Sequence, residues 1–274
     1  MLGRATCMAF TSHKGGTGKT TSCLSVAGCL AMAGKKVLII DMDPEANATM
    51  GFGYEPGTIG NTIFDAFLDC CKGYRGCKIK ETIHKTKIQN IHLIPSELDL
   101  AVMEKLLLDV PRRSRVLHRI INDIRSFYDF ILIDLPPSSP LLMINGISAA
   151  DHLVIPVDPS IFSLKSLKSM KHNLQEIRSI EGHEVESVTI LLCRFQKTGL
   201  LSSILGNESA SDEIRNELEK IFGEPYVIPF SNEVFGSQKA GIPLPFFAPK
   251  CPAAKAYERV TDHVIEMSQA DDET

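Results

Sequence analysis

Residues 11–21 read TSHKGGTGKTT, and the fold is decided there. The end of the stretch fits the glycine-rich turn that holds phosphate, G-x-x-x-x-G-K-S/T, with Gly18, Lys19 and Thr20 as its closing residues. Counting back from Gly18, the first glycine of that pattern falls on His13, and the next residue is a second lysine, Lys14. The loop has given up a glycine and gained a positive charge at its mouth. Before it, ATCMAF (5–10) is a short apolar run that reads as a buried strand; after it, TTSCLSVAGCLAMAG (20–34) is rich in small and apolar residues, with Gly34 as a natural helix C-cap.

A glycine-rich turn between a buried strand and a helix presents backbone N–H groups and a helix N-terminus to an anion. Gly15, Gly16 and Gly18 let the chain approach phosphate oxygens, with Thr17 and Thr21 completing the cradle. Lys19 is expected to reach the β- and γ-phosphates and the Thr20 hydroxyl to ligate Mg²⁺. Two further runs supply carboxylates. LIIDMDP (38–44) puts Asp41 and Asp43 at the end of a strand, and FILIDLPP (130–137) does the same for Asp134. In a parallel sheet ligands sit outside those carboxyl ends, and an Asp there beside a phosphate loop is placed to hold Mg²⁺ through water.

Apolar strand-like runs recur at 36–43, 91–96, 129–138, 152–158, 188–193 and 225–230, separated by helical patterns near 61–69, 162–180, 210–222 and 252–268 and by an amphipathic stretch, 98–126. Continuous apolar strands alternating with helices predict an α/β fold: a mostly parallel, twisted sheet with helices on both faces. No repeat or Gly/Ser linker divides the 274 residues, so one domain is expected over 1–274, with an acidic, mobile tail near 268–274. The net charge of −4 excludes a globally basic nucleic-acid binder, leaving local patches only. The eight cysteines are scattered and no secretory leader is seen, so free thiols in a reducing cytoplasm are expected. The one cluster, CCKGYRGC (70–77), lacks C-x-x-C spacing, and no apolar run reaches the ~18 residues of a membrane span.

Together, HKGGTGKTT (13–21), IIDMDPEANAT (39–49) and YDFILIDLPPSSPLLMINGISAADHLVIPVDPS (128–160) resemble the ParA/MinD family of deviant Walker-A P-loop ATPases, and residues 227–264 resemble its ParA branch. The resemblance implies a single-domain P-loop NTPase with ATP and Mg²⁺ as cofactors. It makes Lys14 the signature lysine, reaching across an ATP-sandwich homodimer to the partner's phosphates. Two unit charges ~4 Å apart at an effective dielectric near 20 interact by about 4 kcal/mol, so such a lysine could tie dimerisation to ATP. It makes Asp43 the carboxylate that positions the attacking water, Asp41 and Asp134 the Mg²⁺ carboxylates, and Arg194 and Pro229 the frame of the adenine. The stretch DPEAN departs from the commoner D-P-Q-G-N at Glu45 and Ala46. Slow hydrolysis is expected until a ParB-like or other adaptor, with a short basic segment, completes the site.

For the ParA branch the resemblance further implies non-specific double-stranded DNA binding in the ATP state, and so a cytoplasmic, nucleoid-associated protein that segregates or positions DNA. Candidate phosphate contacts are Lys197, Lys239, Lys250, Lys255 and Arg259, with Lys165, Lys168, Lys171 and Arg178 on a second patch. Phe230 stands where many relatives carry an arginine. No helix-turn-helix precedes the first strand, so operator binding is not expected. The alternative is a MinD-like or protein-cargo positioner that does not bind DNA. Membrane docking is disfavoured because residues 261–274 hold five acids and no Lys or Arg. An iron–sulfur carrier is disfavoured because no cysteine lies between Asp134 and Cys193.

Overall fold

The computed structural model describes residues 4–12, 14–160, 167, 170, 174–175, 177–178, 182–195 and 210–272. Eight strands are described: β1 (Thr6–Phe10), β2 (Val37–Asp41), β3 (His84–Lys85), β4 (Ile91–Ile94), β5 (Phe130–Asp134), β6 (His152–Val157), β7 (Ser187–Phe195) and β8 (Tyr226–Pro229). They form one sheet in the order β3-β4-β2-β5-β1-β6-β7-β8, parallel throughout except for the two-residue β3 against β4. Helices α1 (Lys19–Met32), α2 (Asn47–Met50), α3 (Ile63–Leu68), α4 (Met103–Leu106), α5 (Val116–Ile121) and α6 (Pro140–Ala149) precede α7 (Ala210–Phe222), α8 (Glu233–Ala240), α9 (Leu244–Phe247) and α10 (Pro252–Asp272).

The central strands are buried on both faces because their side chains alternate between two apolar layers. Leu38, Ile40, Ile131 and Ile133 join α3, α5 and α6 in one layer, while Ile39, Leu132, Met8 and Phe10 join α1 and α10 in the other. Register then sets the site. Phe10 pairs with Asp134 and Asp134 with Asp41, so the loop after β1 and both aspartates emerge at one level of the carboxyl edge. β1 lies between β5 and β6; its own connection runs to β2 on one side while that from β5 crosses to β6 on the other, and that divergence opens a crevice above the two strands.

The structure departs from expectation in a few places. The stretch 98–126 is broken into short 3₁₀ and α segments, because Pro111 lacks an N–H and Arg112 turns left-handed at φ 53°. Helices α2, α6, α8 and α9 were not anticipated. The last helix continues to Asp272, past the expected limit at 268. The described positions within 162–180 are helical, but Lys165, Lys168 and Lys171 lie outside the described residues, as do His13 and Lys197.

Candidate functional site

The loop between β1 and α1 needs left-handed backbone at two points, Gly16 (φ 77°) and Gly18 (φ 95°), where an L side chain would be strained. Beyond Gly18 the helix begins at Lys19, whose ammonium turns down into the carboxyl edge. It lies 3.1 Å from Asp134 Oδ1 and 3.5 Å from Asp43 Oδ2, and all three side chains are buried. Burial alone would lower the Lys19 pKa, but the charges of Asp134 and Asp43 outweigh it and the net shift is upward. Burial pushes Asp43 up, against the opposing pull of Lys19. Thr20 Oγ1 donates to Asp134 Oδ2 at 2.7 Å. The Thr20 hydroxyl and the Asp134 carboxylate form an all-oxygen pair of donors that fits Mg²⁺, which takes few protein ligands and completes its shell with water and phosphate. Among the described residues no group of three His, Cys, Asp or Glu forms a metal cage on its own.

Asp41, expected to act on Mg²⁺ through water, is tied to the loop that follows it. Its Oδ2 accepts from both the backbone N and Oγ1 of Thr49 at 2.8 Å, and its Oδ1 accepts from the Asp43 N–H at 3.1 Å. Like Asp134, it is fully buried beneath the crevice lining, but no hydrogen bond joins it to Lys19 or Thr20 as joins Asp134 to both. Burial and the nearby charge of Asp134 push its pKa up to about 7. The carboxylate therefore fastens the 41–49 loop from below and leaves Asp134 and Asp43 to face the loop lysine. Above it, Asp43 Oδ1 accepts from the Glu45 N–H at 3.1 Å, and Ala46 sits left-handed at φ 54°, at the position where the family pattern has glycine.

The crevice above the loop has a volume of about 600 Å³. Its walls include every phosphate-loop residue from Lys14 to Thr21, together with Asp43, Arg194 and Pro229. Arg194 is directed there by an irregularity in the β7–β8 register between Leu192 and Phe195. Its φ is 58°, and its Nη1 donates to the Gly16 carbonyl at 3.4 Å. The opposite wall was missed in the sequence. Gln238 of α8 donates to Thr21 Oγ1 at 3.3 Å, and Tyr257 of α10 bonds Ser22 Oγ at 3.0 Å. Phe230 and Phe235 line the rim, 46% and 75% exposed. Lys14 does not join Lys19. Its ammonium pairs with Asp158 Oδ2 at 2.8 Å, just beyond β6. Asp158 could have been found by the signal that found Asp134, an apolar run ending in Asp: HLVIPVD against FILID.

Of the other cationic candidates, Lys239, Lys250, Lys255 and Arg259 are all exposed. Lys255 and Arg259 stand one turn apart on α10, and Arg259 also borders a separate cavity beside β8. Arg178 pairs with Glu184. Among the described residues no helix is long and apolar enough to cross a membrane.

A phosphate loop opening a helix between parallel strands, with aspartates at the carboxyl edge, defines a P-loop nucleotide-binding domain. The family described as an AAA domain matches residues 5–187. The chain is 30% identical over 253 residues to the sporulation initiation inhibitor protein Soj of Bacillus subtilis, covering 91% of this chain and 94% of that protein. It is 27% identical over 267 residues to the chromosome partitioning protein ParA of Caulobacter vibrioides, covering 96% and 94%. The chain belongs to the ParA/MinD family of P-loop ATPases. Solved structures share its fold. A Cyanothece McdA–ATP complex superimposes with TM-score 0.82 at 23% identity, over 95% of this chain and 96% of that one. Pyrococcus horikoshii MinD with Mg-ADP gives 0.76 at 22%, over 96% and 97%.

Proposed function

We propose that this protein is an ATP-hydrolysing partition ATPase. It closes as a homodimer over two ATP molecules, binds double-stranded DNA without sequence preference in that state, and segregates or positions DNA with an activating adaptor. The observation that carries the reading is a phosphate loop with a second lysine, Lys14, whose ammonium is held at the crevice mouth, away from its own Lys19–Asp134 floor. The names of relatives support the cargo and the cofactors: chromosome partitioning in Soj of Treponema pallidum and ParA of Caulobacter, ATP in McdA and Mg-ADP in MinD.

The chain's own residues divide the work by depth. The N–H groups of 15–21 and the Lys19 ammonium bind the phosphates, Lys19 giving up its carboxylate partners for them. Thr20 and Asp134 hold Mg²⁺, which when bound neutralises phosphate charge. Asp43, buried and raised in pKa, accepts a hydrogen bond from the attacking water and orients it. Arg194 and Pro229 frame the base. The exposed lysines Lys239, Lys250 and Lys255, with Arg259, meet DNA phosphates. The full chain 1–274 acts as one unit.

The test is binding to random-sequence duplex DNA with ATP, ADP or no nucleotide at two salt concentrations. Binding seen only with ATP and weakened by salt supports the reading. One observation favours a second reading, a positioner of protein cargo: Phe230, where the resemblance leads one to expect arginine, is an exposed aromatic ring. ATP-dependent dimerisation with no DNA binding in any state would select it.

A further inference from the structure

Lys14 and Lys19 leave the same loop toward opposite sides of β1. Lys19 turns toward Asp134 at the end of β5 and Asp43 beyond β2, while Lys14 turns toward Asp158 beyond β6. Asp158 is itself set in place: Ser160 Oγ donates to its Oδ1 at 2.9 Å, and the Ser160 N–H donates to its carbonyl at 2.8 Å. The base of Lys14 is fixed as well. Its carbonyl accepts from Ser12 Oγ at 3.1 Å, and Thr17 Oγ1 donates to Ser12 Oγ at 3.0 Å. The ammonium is therefore aimed from both ends of the contact.

We infer that Asp158 is a positioning residue for Lys14, a resting counter-ion that holds the lysine back until the phosphates of a second copy replace it. The inference rests on the sandwich-dimer reading above. The replacement is a contest between anions. The Lys14 and Asp158 side chains are 50% and 23% exposed, so their pair is screened and weak, whereas a phosphate chain carries several negative charges. A contact that weak parts at little cost, whereas Lys19 can leave the buried Asp134 only when phosphate takes its place. Its removal should still register. A partly exposed pair changes an equilibrium by roughly two- to fivefold. A symmetric dimer breaks two such pairs, so its dissociation constant carries the square, about four- to twenty-five-fold.

The experiment measures dimer dissociation of the full chain by sedimentation velocity, with a slowly hydrolysed ATP analogue, for the wild type, Asp158→Asn and Asp158→Glu. The expected result is a four- to twenty-five-fold tighter dimer for Asp158→Asn and near wild-type behaviour for Asp158→Glu. A double-mutant cycle on urea unfolding of the nucleotide-free protein, using Lys14→Ala and Asp158→Asn, should show coupling between the two positions. A purely structural role for Asp158 would lower stability without tightening the dimer. An Asp158→Asn dimer no tighter than wild type overturns the assignment and leaves the sandwich reading intact. A wild type that stays monomeric with the analogue at every concentration overturns both. Absence of coupling in the nucleotide-free protein also overturns the assignment, because any tightening would then come from general removal of negative charge.

Discussion

The floor and the mouth of the crevice are built from the same kinds of groups and behave as opposites. At the floor, Lys19, Asp43 and Asp134 are buried, so each charge is stabilised only by its neighbours, and removing one strands the others in a low-dielectric site. At the mouth, Lys14 and Asp158 are partly in water, which screens their attraction and keeps the contact exchangeable. Burial separates a lysine that can leave its carboxylates only for another anion from one that water leaves loosely held. The phosphate loop joins the two, with Lys19 at its helical end and Lys14 at its strand end.

That contrast can be broken at several depths. Asp43→Ala should leave ATP bound and lower turnover by about 10²- to 10⁴-fold in single-turnover assays, the range for losing a group that handles the water's proton. Turnover within threefold of wild type would move that role off the floor. Lys19→Ala removes the charge that meets the phosphates, and titration calorimetry should show ATP affinity falling by about a hundredfold, the size of one or two charged hydrogen bonds. Lys14→Ala, at the mouth, should keep monomer affinity for ATP within a few-fold while the ATP dimer weakens about tenfold or more, as read by light scattering. If both lysine variants lost ATP binding equally, floor and mouth would not be distinct.

Farther out, reversing Lys239 and Lys250 to Glu should weaken DNA retention and reduce the slope of log affinity against log salt by about 0.9 for each DNA phosphate no longer neutralised. An unchanged slope would place the DNA face elsewhere. The smallest effect is at Ala46. A left-handed alanine costs roughly 1–2 kcal/mol and glycine loses about 0.5–1 kcal/mol more backbone entropy, so Ala46→Gly gains about 1 kcal/mol on the loop that Asp41 fastens and should raise the melting temperature by about 2–4 °C. A lower melting temperature would show that the alanine methyl packs usefully in its buried site.

Legibility in the sequence followed the same depth. The floor could be read because its constraints are local. A glycine-rich turn must sit between a strand and a helix, and apolar runs ending in aspartate must deliver carboxylates to the sheet edge. Lys19, Thr20, Asp43 and Asp134 were read that way, and the structure brings them together, with Asp134 bonded to Lys19 and Thr20 beneath the crevice; Lys14, at the mouth, was read from the same loop. Asp41 obeyed the same rule, and only the structure shows that its oxygens are engaged by Thr49 and the Asp43 N–H. The far wall was hard to read. Helix α8, EVFGSQKA, carries a glycine and little amphipathic pattern, and the reason for that glycine is tertiary: a Cβ at Gly236 would lie 2.9 Å from the Phe247 ring. Helix α6, PLLMINGISA, was hidden by its largely apolar composition, which gives no clear period to read.

The sequence by itself determined the strand–loop–helix, the parallel sheet and the family, because turn chemistry and apolar periodicity are properties of neighbouring residues. Only the tertiary structure decided which way each charge points. Asp158 lies 144 residues from Lys14 and Asp134 lies 115 from Lys19, and which aspartate meets which lysine depends on β1 lying between β5 and β6. Strand order is set by packing the whole sheet, so the pairing of the two lysines was fixed by the fold and carried by no local pattern.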